Sequence, residues 1–398
     1  MENFESVCDY LKLAQPSDPV ICQRPHAAAR SAHWFLKNFP GDVLYAVKAN
    51  PSPLILQTLY NAGIRHFDVT SPAEIKRLAG YPDVRLYCMN PVKHPEHIRS
   101  AYFDYGVRDF SLDSFDELEK ICKATGNATD LSLHVRIAVD NSRARLPLDN
   151  KFGIRPSQAP ALLMAARLVA DTLGVCFHVG SQAMHPHAYG AAIERANRMI
   201  RKAGVILDSL DVGGGFPAAY PGLEPAPLST YMAVIEHAFN NSLTSETCRL
   251  LCEPGRALVA EAASVLVNVT LRKDDALYLN DGAYGALFDA AHMKFPYPVR
   301  ALRNGKLLRC ARQKPFRFYG PTCDSIDYLP GPFMLPASMQ AGDYIEIGQL
   351  GAYGDTMRTD FNGFGKRLEI VVADEPMMSM YTGTDRQQVL VEQENQQV

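Results

Sequence analysis

Residues 42–50 read DVLYAVKAN, a β-rich run from Val43 to Val47 that ends in Lys48 instead of in glycine. That ending decides between two architectures. From Val43 to Glu253 short β-rich runs alternate with longer stretches of helical spacing, the pattern of a parallel sheet built from βα units. The candidate strands are Val43 to Val47, His66 to Val69, Val84 to Cys88, Asp109 to Leu112, Leu131 to Val139, Val175 to Val179, Leu207 to Val212 and Arg249 to Cys252, eight in all. Helical spacing or charge pattern marks Pro53 to Ala62, Ala73 to Leu78, Phe115 to Ala124, Ala159 to Val169 and Tyr189 to Lys202 between them. An open doubly wound sheet would more often place a Gly-rich phosphate loop after its first strand. Lysine in that place, with eight strands available to close a ring, predicts a (β/α)8 TIM-like barrel, an α/β fold.

Past about Ala260 the texture changes to VLVNVTL, ALYLND, FRFYG, YIEIG and LEIVVAD, separated by Gly and Pro turns. This predicts a C-terminal all-β domain. The expected division is residues 25–262 for the barrel, with residues 1–24 and 263–398 forming the β domain. The Gln-rich end, DRQQVLVEQENQQV, is expected to be loosely ordered.

Composition narrows the function. A chain of 398 residues with 47% hydrophobic content buries a large core and is long enough for two domains. A formal net charge of −3 provides no electrostatic footprint for nucleic acid or an anionic membrane, so a small, locally bound partner fits better. The start, MENFESVCDYLKL, lacks the basic beginning and apolar run of a secretion signal. The most apolar long stretch, near Leu162 to Val179, is broken by Arg167, Asp171 and His178, so no membrane span is expected. Nine cysteines without a CxxC pair suggest neither a metal site nor a disulfide framework, and a reducing cytoplasm is the simplest location.

In a barrel of this kind reactive residues gather at the C-terminal ends of the strands. Lys48 is expected to close the first strand, Asp68 the second, Arg136 to lie in the fifth and His178 in the sixth; Gly213, Gly214 and Gly215 follow the seventh, and Glu253, Gly255 and Arg256 the eighth. A lysine behind an apolar run is partly desolvated, which frees an amine for imine formation, although by itself it reads more readily as a surface residue. Three consecutive glycines let backbone N–H groups approach a phosphate, or simply form a tight turn. EPGR adds a glycine and an arginine after the next strand, in the loops where such barrels bind phosphate. Glu253 could face a pyridine nitrogen and keep it protonated, or be a solvated turn residue. His178 reads as a neutral core histidine or as a ring that stacks on a cofactor, and Ser181 as a turn former or a phosphate donor.

Taken together these residues resemble the pyridoxal-phosphate decarboxylases with an alanine-racemase-like barrel, and within them the ornithine decarboxylases. The likeness runs nearly end to end: YAVKAN around Lys48, FDVTSPAEI around Asp68, FHVGSQ around His178, DVGGGFP, EPGR, NDGAYG around Tyr284, GPTCDSID around Cys323 and GAYG around Tyr353. The resemblance implies that Lys48 holds pyridoxal 5'-phosphate as a Schiff base, that His178 stacks on its ring and that Glu253 pairs with the ring nitrogen. It implies further that Ser181, Gly214, Gly215, Arg256 and Tyr353 surround the phosphate, with Asp68 and Arg136 near the ring and lysine, and Gly213 and Gly255 are expected among the cofactor-binding residues. Cys323 is implied as a proton donor reaching into the partner subunit's site, so that a homodimer shares its active sites. Tyr284, Asp289 and Asp324 are implied on the substrate side, the two acids holding a distal ammonium.

The activity implied is decarboxylation of a basic L-amino acid, L-ornithine to putrescine first, in polyamine biosynthesis. Lysine, diaminopimelate and carboxynorspermidine are the alternative substrates on the same scaffold. This sequence reads CDS where eukaryotic ornithine decarboxylases commonly read CDG, and the stretch from Tyr284 to Asp289 is a few residues shorter. Both differences touch the distal pocket, which leaves the substrate's chain length open. A racemase would place a weakly acidic or cationic group against the ring nitrogen, unlike Glu253. A non-catalytic relative of the antizyme-inhibitor kind would not need Lys48, Cys323, Glu253 and Arg256 together.

Overall fold

The computed structural model describes residues 1–142, 144–148, 151–293 and 296–381; the Gln-rich end lies outside the described residues. All eight expected runs contain strands, and these close into one parallel barrel: Asp42–Ala46, His66–Asp68, Arg85–Cys88, Asp109–Leu112, Ser132–Arg136, Thr172–Cys176, Ser209–Asp211 and Arg249–Cys252. Most of their residues are buried, as strands enclosed by helices on one side and barrel contents on the other must be.

Two of the boundary shifts bear on the site. The sixth strand runs from Thr172 to Cys176, so His178 stands two residues beyond it instead of within it. The strand starts earlier than the expected run because Gly174 is paired in register with His134 and Ser209; a Cβ there would lie 2.3 Å from Ser209 Oγ and 2.6 Å from His134 Nδ1. Lys48 likewise does not close the first strand but sits in the single 3-10 turn Val47–Ala49 that follows it. Arg136 ends the fifth strand.

Serine caps start several of the surrounding helices. Ser52, Ser71 and Ser114 each accept the N–H three residues on, opening Pro53–Asn61, Pro72–Leu78 and Phe115–Ala124. In the second of these Glu74 reaches back to the Thr70 N–H at 2.6 Å, a capping box displaced by one residue. The opposite, N-terminal mouth of the barrel is closed by charge: Arg85 grips Asp109 with two bonds of 2.8 Å, and His134 Nε2 meets the same carboxylate at 3.2 Å. That end carries stability, leaving the other end for chemistry.

The long strand Ala263–Lys273 leaves the barrel and pairs antiparallel with Val20–Gln23, Tyr344–Ile347 and Ala276–Leu279. Glu2–Phe4 and Val20–Gln23 flank Leu368–Val372 in parallel, so both ends of the described chain join one sheet. At the seam Arg24 donates to Ser264 Oγ (2.7 Å), Glu346 (2.8 Å) and Asp374 (2.7 Å), all while almost fully buried. No helix among the described residues is long and apolar enough to cross a membrane.

Candidate active site

A cavity of about 330 Å³ opens at the C-terminal end of the barrel. Lys48, Arg136, His178, Ser181, Gly214, Gly215, Glu253, Gly255, Arg256 and Tyr353 line it, ten residues that the sequence reading assigned to one site. Ala46, Pro147, Leu148, Lys151 and Phe152 complete the wall; the last four are a contribution the sequence did not announce. They arrive on the segment after Ala144–Leu146, which pairs antiparallel with Ser181–Ala183. Phe152 lies under the Arg136 guanidinium at 5.7 Å.

Lys48 Nζ donates to Asp68 Oδ2 at 3.1 Å, and the lysine side chain keeps 47% of its surface exposed while Asp68 is buried. The Asp68 charge, outweighing the cost of burial, holds the Lys48 ammonium above the usual lysine range. Asp68 Oδ1 is buried with no hydrogen-bond partner among the described residues, so the site keeps an open acceptor beside the amine. His178 Nδ1 accepts the Gly180 N–H at 3.0 Å, which assigns the proton of the neutral ring to Nε2. Burial first, then Arg136 and Lys48, push this imidazole well below the usual histidine range and keep it an uncharged flat surface.

The glycine run is arranged by three donors behind it. The carbonyls of Gly213, Gly214 and Gly215 accept from Glu253 N (2.9 Å), Tyr189 Oη (3.0 Å) and Ala183 N (2.9 Å). Because each peptide is trans, fixing the Gly213 and Gly214 carbonyls turns the N–H groups of Gly214 and Gly215 the opposite way. Gly213 itself, at φ +69°, makes the turn and gives its N–H to Asp211 Oδ1 at 2.7 Å. A Cβ on Gly214 would lie 2.6 Å from the Glu253 carbonyl oxygen and 3.1 Å from His178 Nε2. Across the cavity Tyr353 adopts φ +56°, a strained left-handed conformation for a tyrosine, and its N–H bonds the Ala49 carbonyl at 2.9 Å beside Lys48.

Glu253 is buried, and burial first and the neighbouring Asp211 carboxyl second push it well above the usual range. Asp211, fully buried, is raised as well by its burial. Two carboxyls in one dry site cannot both ionise unaided. A cationic N–H placed beside them would relieve them. Asp211 is a site residue beyond those expected from the sequence; its signal there is an acid two residues before a glycine turn at a strand end.

Pyridoxal phosphate fits this arrangement: an amine for its aldehyde, an acid pair for its ring nitrogen, and backbone N–H groups with an arginine for its phosphate. The remaining expected residues lie apart from the cavity. Cys323 is exposed on the sheet domain, with its thiol donating to Asn362 Oδ1 at 3.3 Å. Tyr284 Oη donates to Asp324 Oδ2 at 2.6 Å, and this bond first, the Ile326 N–H second, lower the Asp324 carboxyl. The expectation that Asp289 offers a free carboxylate to a substrate is not what the fold provides. Both its oxygens are engaged by Arg256, at 2.7 and 3.2 Å, because the short helix Phe288–His292 packs it behind that arginine.

Residues 26–260 match the family model described as pyridoxal-dependent decarboxylase, pyridoxal binding domain. The lysine/ornithine decarboxylase of Selenomonas ruminantium is 35% identical over 346 residues, covering 84% of this chain and 84% of that protein. The ornithine decarboxylase of Cricetulus griseus is 33% identical over 374 residues, covering 87% of this chain and 78% of its own. Among solved structures, the arginine decarboxylase of Paramecium bursaria Chlorella virus superposes with a TM-score of 0.82 at 27% identity, over 92% of this chain and 99% of that one. With the cavity, its lysine and its acid pair in the places the family model spans, the chain belongs to the pyridoxal-dependent decarboxylases and is a pyridoxal-phosphate-dependent amino-acid decarboxylase.

Proposed function

We propose that the protein decarboxylates L-ornithine to putrescine, with lysine as a second substrate, in a homodimer whose two active sites are shared. The observation that carries the reading is the juxtaposition in one cavity of the Lys48 amine, the Glu253 carboxyl and the Gly214–Arg256 phosphate cradle. Bound there, pyridoxal phosphate supplies the electron sink that accepts the pair released when the α-carboxyl group leaves as carbon dioxide. Lys48 is the amine that would hold the cofactor, and Asp68, which accepts from its Nζ, would keep that ammonium in place while the substrate amine binds. Neutral His178 would offer the ring an uncharged face, and Glu253 would be the carboxyl that holds a proton at the ring nitrogen.

Support for sharing comes from where Cys323 stands. Its thiol and the Asp324 carboxyl are carried by the sheet domain, outside the Lys48 cavity, beside the exposed apolar side chains of Ile326, Phe361 and Phe364. A second copy covering that patch would bring a proton donor and an anionic group to the neighbour's cavity. Residues 25–262 then act as the cofactor domain, and residues 1–24 with 263–398 as the domain that reaches across. Nine free thiols suit a reducing cytoplasm.

Asp324, kept ionised by Tyr284, is the acid that fits a distal ammonium. Norleucine, which lacks that ammonium, should be at least about a thousandfold poorer than ornithine in kcat/KM, whereas lysine differs by one methylene, worth about 1–3 kcal/mol. Asp324→Asn should lower kcat/KM for ornithine while leaving the cofactor's absorbance intact. A preference for diaminopimelate, or indifference to Asp324→Asn, overturns the substrate assignment.

A further inference from the structure

Gln182 stands one residue past Ser181 and adopts φ +54°, in the left-handed region that glycine and asparagine enter readily and glutamine seldom does. Its side chain is fully buried. The carboxamide grips one residue of the loop after the seventh strand: Oε1 accepts the Ala218 N–H at 3.0 Å, and Nε2 donates to the Ala218 carbonyl at 2.6 Å. Nε2 also reaches Met184 Sδ at 3.9 Å. A backbone N–H only donates and a carbonyl only accepts, so the two groups of Ala218 fix which end of the amide is which. A left-handed backbone at a buried glutamine persists where its contacts over-determine it, and here the two amide bonds supply that hold.

This clamp completes a bracket around Ser181. Before Ser181 the loops after the sixth and seventh strands meet backbone to backbone, since a Cβ on Gly215 would lie 2.3 Å from the Gly180 carbonyl oxygen. After it the Ala183 N–H bonds the Gly215 carbonyl at 2.9 Å, and Gln182 holds Ala218. Ser181 from the first loop and Gly214 and Gly215 from the second line the Lys48 cavity. We infer that Gln182 is a positioning residue for the phosphate cradle, fixing the spacing between the Ser181 hydroxyl and the N–H groups of Gly214 and Gly215 so that one anion meets donors from both loops at once. This rests on the reading that those donors take the cofactor's phosphate. Gln182 itself lies behind the cavity wall and acts through the two loops it joins.

Equilibrium dialysis of the full chain against pyridoxal phosphate and, separately, against pyridoxal tests this. Gln182→Gly accepts the left-handed φ without strain and removes the carboxamide, whereas Gln182→Asn is also at ease there but has an arm one methylene too short to hold both groups of Ala218. Each should weaken pyridoxal phosphate binding by about tenfold or more, while pyridoxal binding changes by less than about twofold. Because both variants tolerate the backbone, agreement between them assigns the loss to the amide bonds, and Gln182→Asn serves if Gln182→Gly does not fold. Ser181→Ala should also lose phosphate-selective affinity, and adding Gln182→Asn to it should cost less than in the parent, since one of the donors that Gln182 places is then gone. Equal losses for pyridoxal and its phosphate, an affinity for the phosphate form within about twofold of the parent in both variants, or full additivity with Ser181→Ala overturns the inference. If Ser181→Ala together with Gly214→Ala leaves the preference for the phosphate form intact, the phosphate reading of the cradle fails first, and separately.

Discussion

Glu253 shows how one residue can be unfavourable for the empty fold and necessary for the chemistry. Its carboxyl is buried near Asp211, and both effects raise its pKa above the unfolded value. The folded chain therefore binds more protons than the unfolded chain once pH exceeds the ordinary glutamate range, so stability falls as pH rises from there towards the folded pKa. Glu253→Gln removes that titration. In the cofactor-free protein the variant should gain melting temperature relative to the parent at pH 8, and the gain should shrink on going to pH 4, where the parent's carboxyl is protonated in both states. With cofactor bound the sign reverses in function: kcat should fall by about 10- to 100-fold, because an amide cannot hold the ring nitrogen's proton as a carboxylate does. Calorimetry at the two pH values and steady-state kinetics check both halves, and a pH-independent stability difference would exclude the titration argument.

At the scale of elements, the loop after the seventh strand is shaped by close approach. A Cβ at Gly214 would stand 2.6 Å from a backbone carbonyl that cannot swing aside, whereas one at Gly80, on the helical face of the barrel, meets nothing within 4 Å. Gly214→Ala should therefore cost about 1–3 kcal/mol of stability and weaken cofactor binding, while Gly80→Ala should lie within about 0.5 kcal/mol of the parent. Equal denaturation midpoints for the two variants would show that the loop relaxes around the added methyl. The elements were largely readable in the chain because apolar runs, serine caps and Gly-rich turns are local signals. The sixth strand's boundary was not, because Gly174 is glycine for the sake of Ser209 and His134, which lie on neighbouring strands.

For the whole molecule, the buried network of Arg24, Ser264, Glu346 and Asp374 ties the sheet to the start of the barrel, with Arg300 adding a bond to Asp374 at 2.6 Å. The surface bearing Cys323 is thus held in a set position relative to the chain's own barrel, away from its own cavity. Mixing inactive Lys48→Ala with inactive Cys323→Ala should restore activity to about a quarter of all sites after random subunit exchange, since half the dimers are mixed and each rebuilds one of its two sites. Absence of recovery, with exchange demonstrated by mass or tag, would mean that each site is completed within one chain.

What the sequence determined by itself is the barrel, the sheet domain after it, and ten of the residues that line the Lys48 cavity. Hydrophobic period, turn chemistry and the residue types that phosphate and imine chemistry require are properties of short stretches, and they survive without knowledge of neighbours. The tertiary structure alone decided which groups face one another. Asp211 joins Glu253 because adjacent strands bring their ends together, and Asp289 pairs with Arg256 because a short helix delivers it from the second domain. Both are carboxylates whose type was visible from the start, but a carboxylate's role depends on the charge beside it, and that charge lies 33 residues away in the case of Asp289.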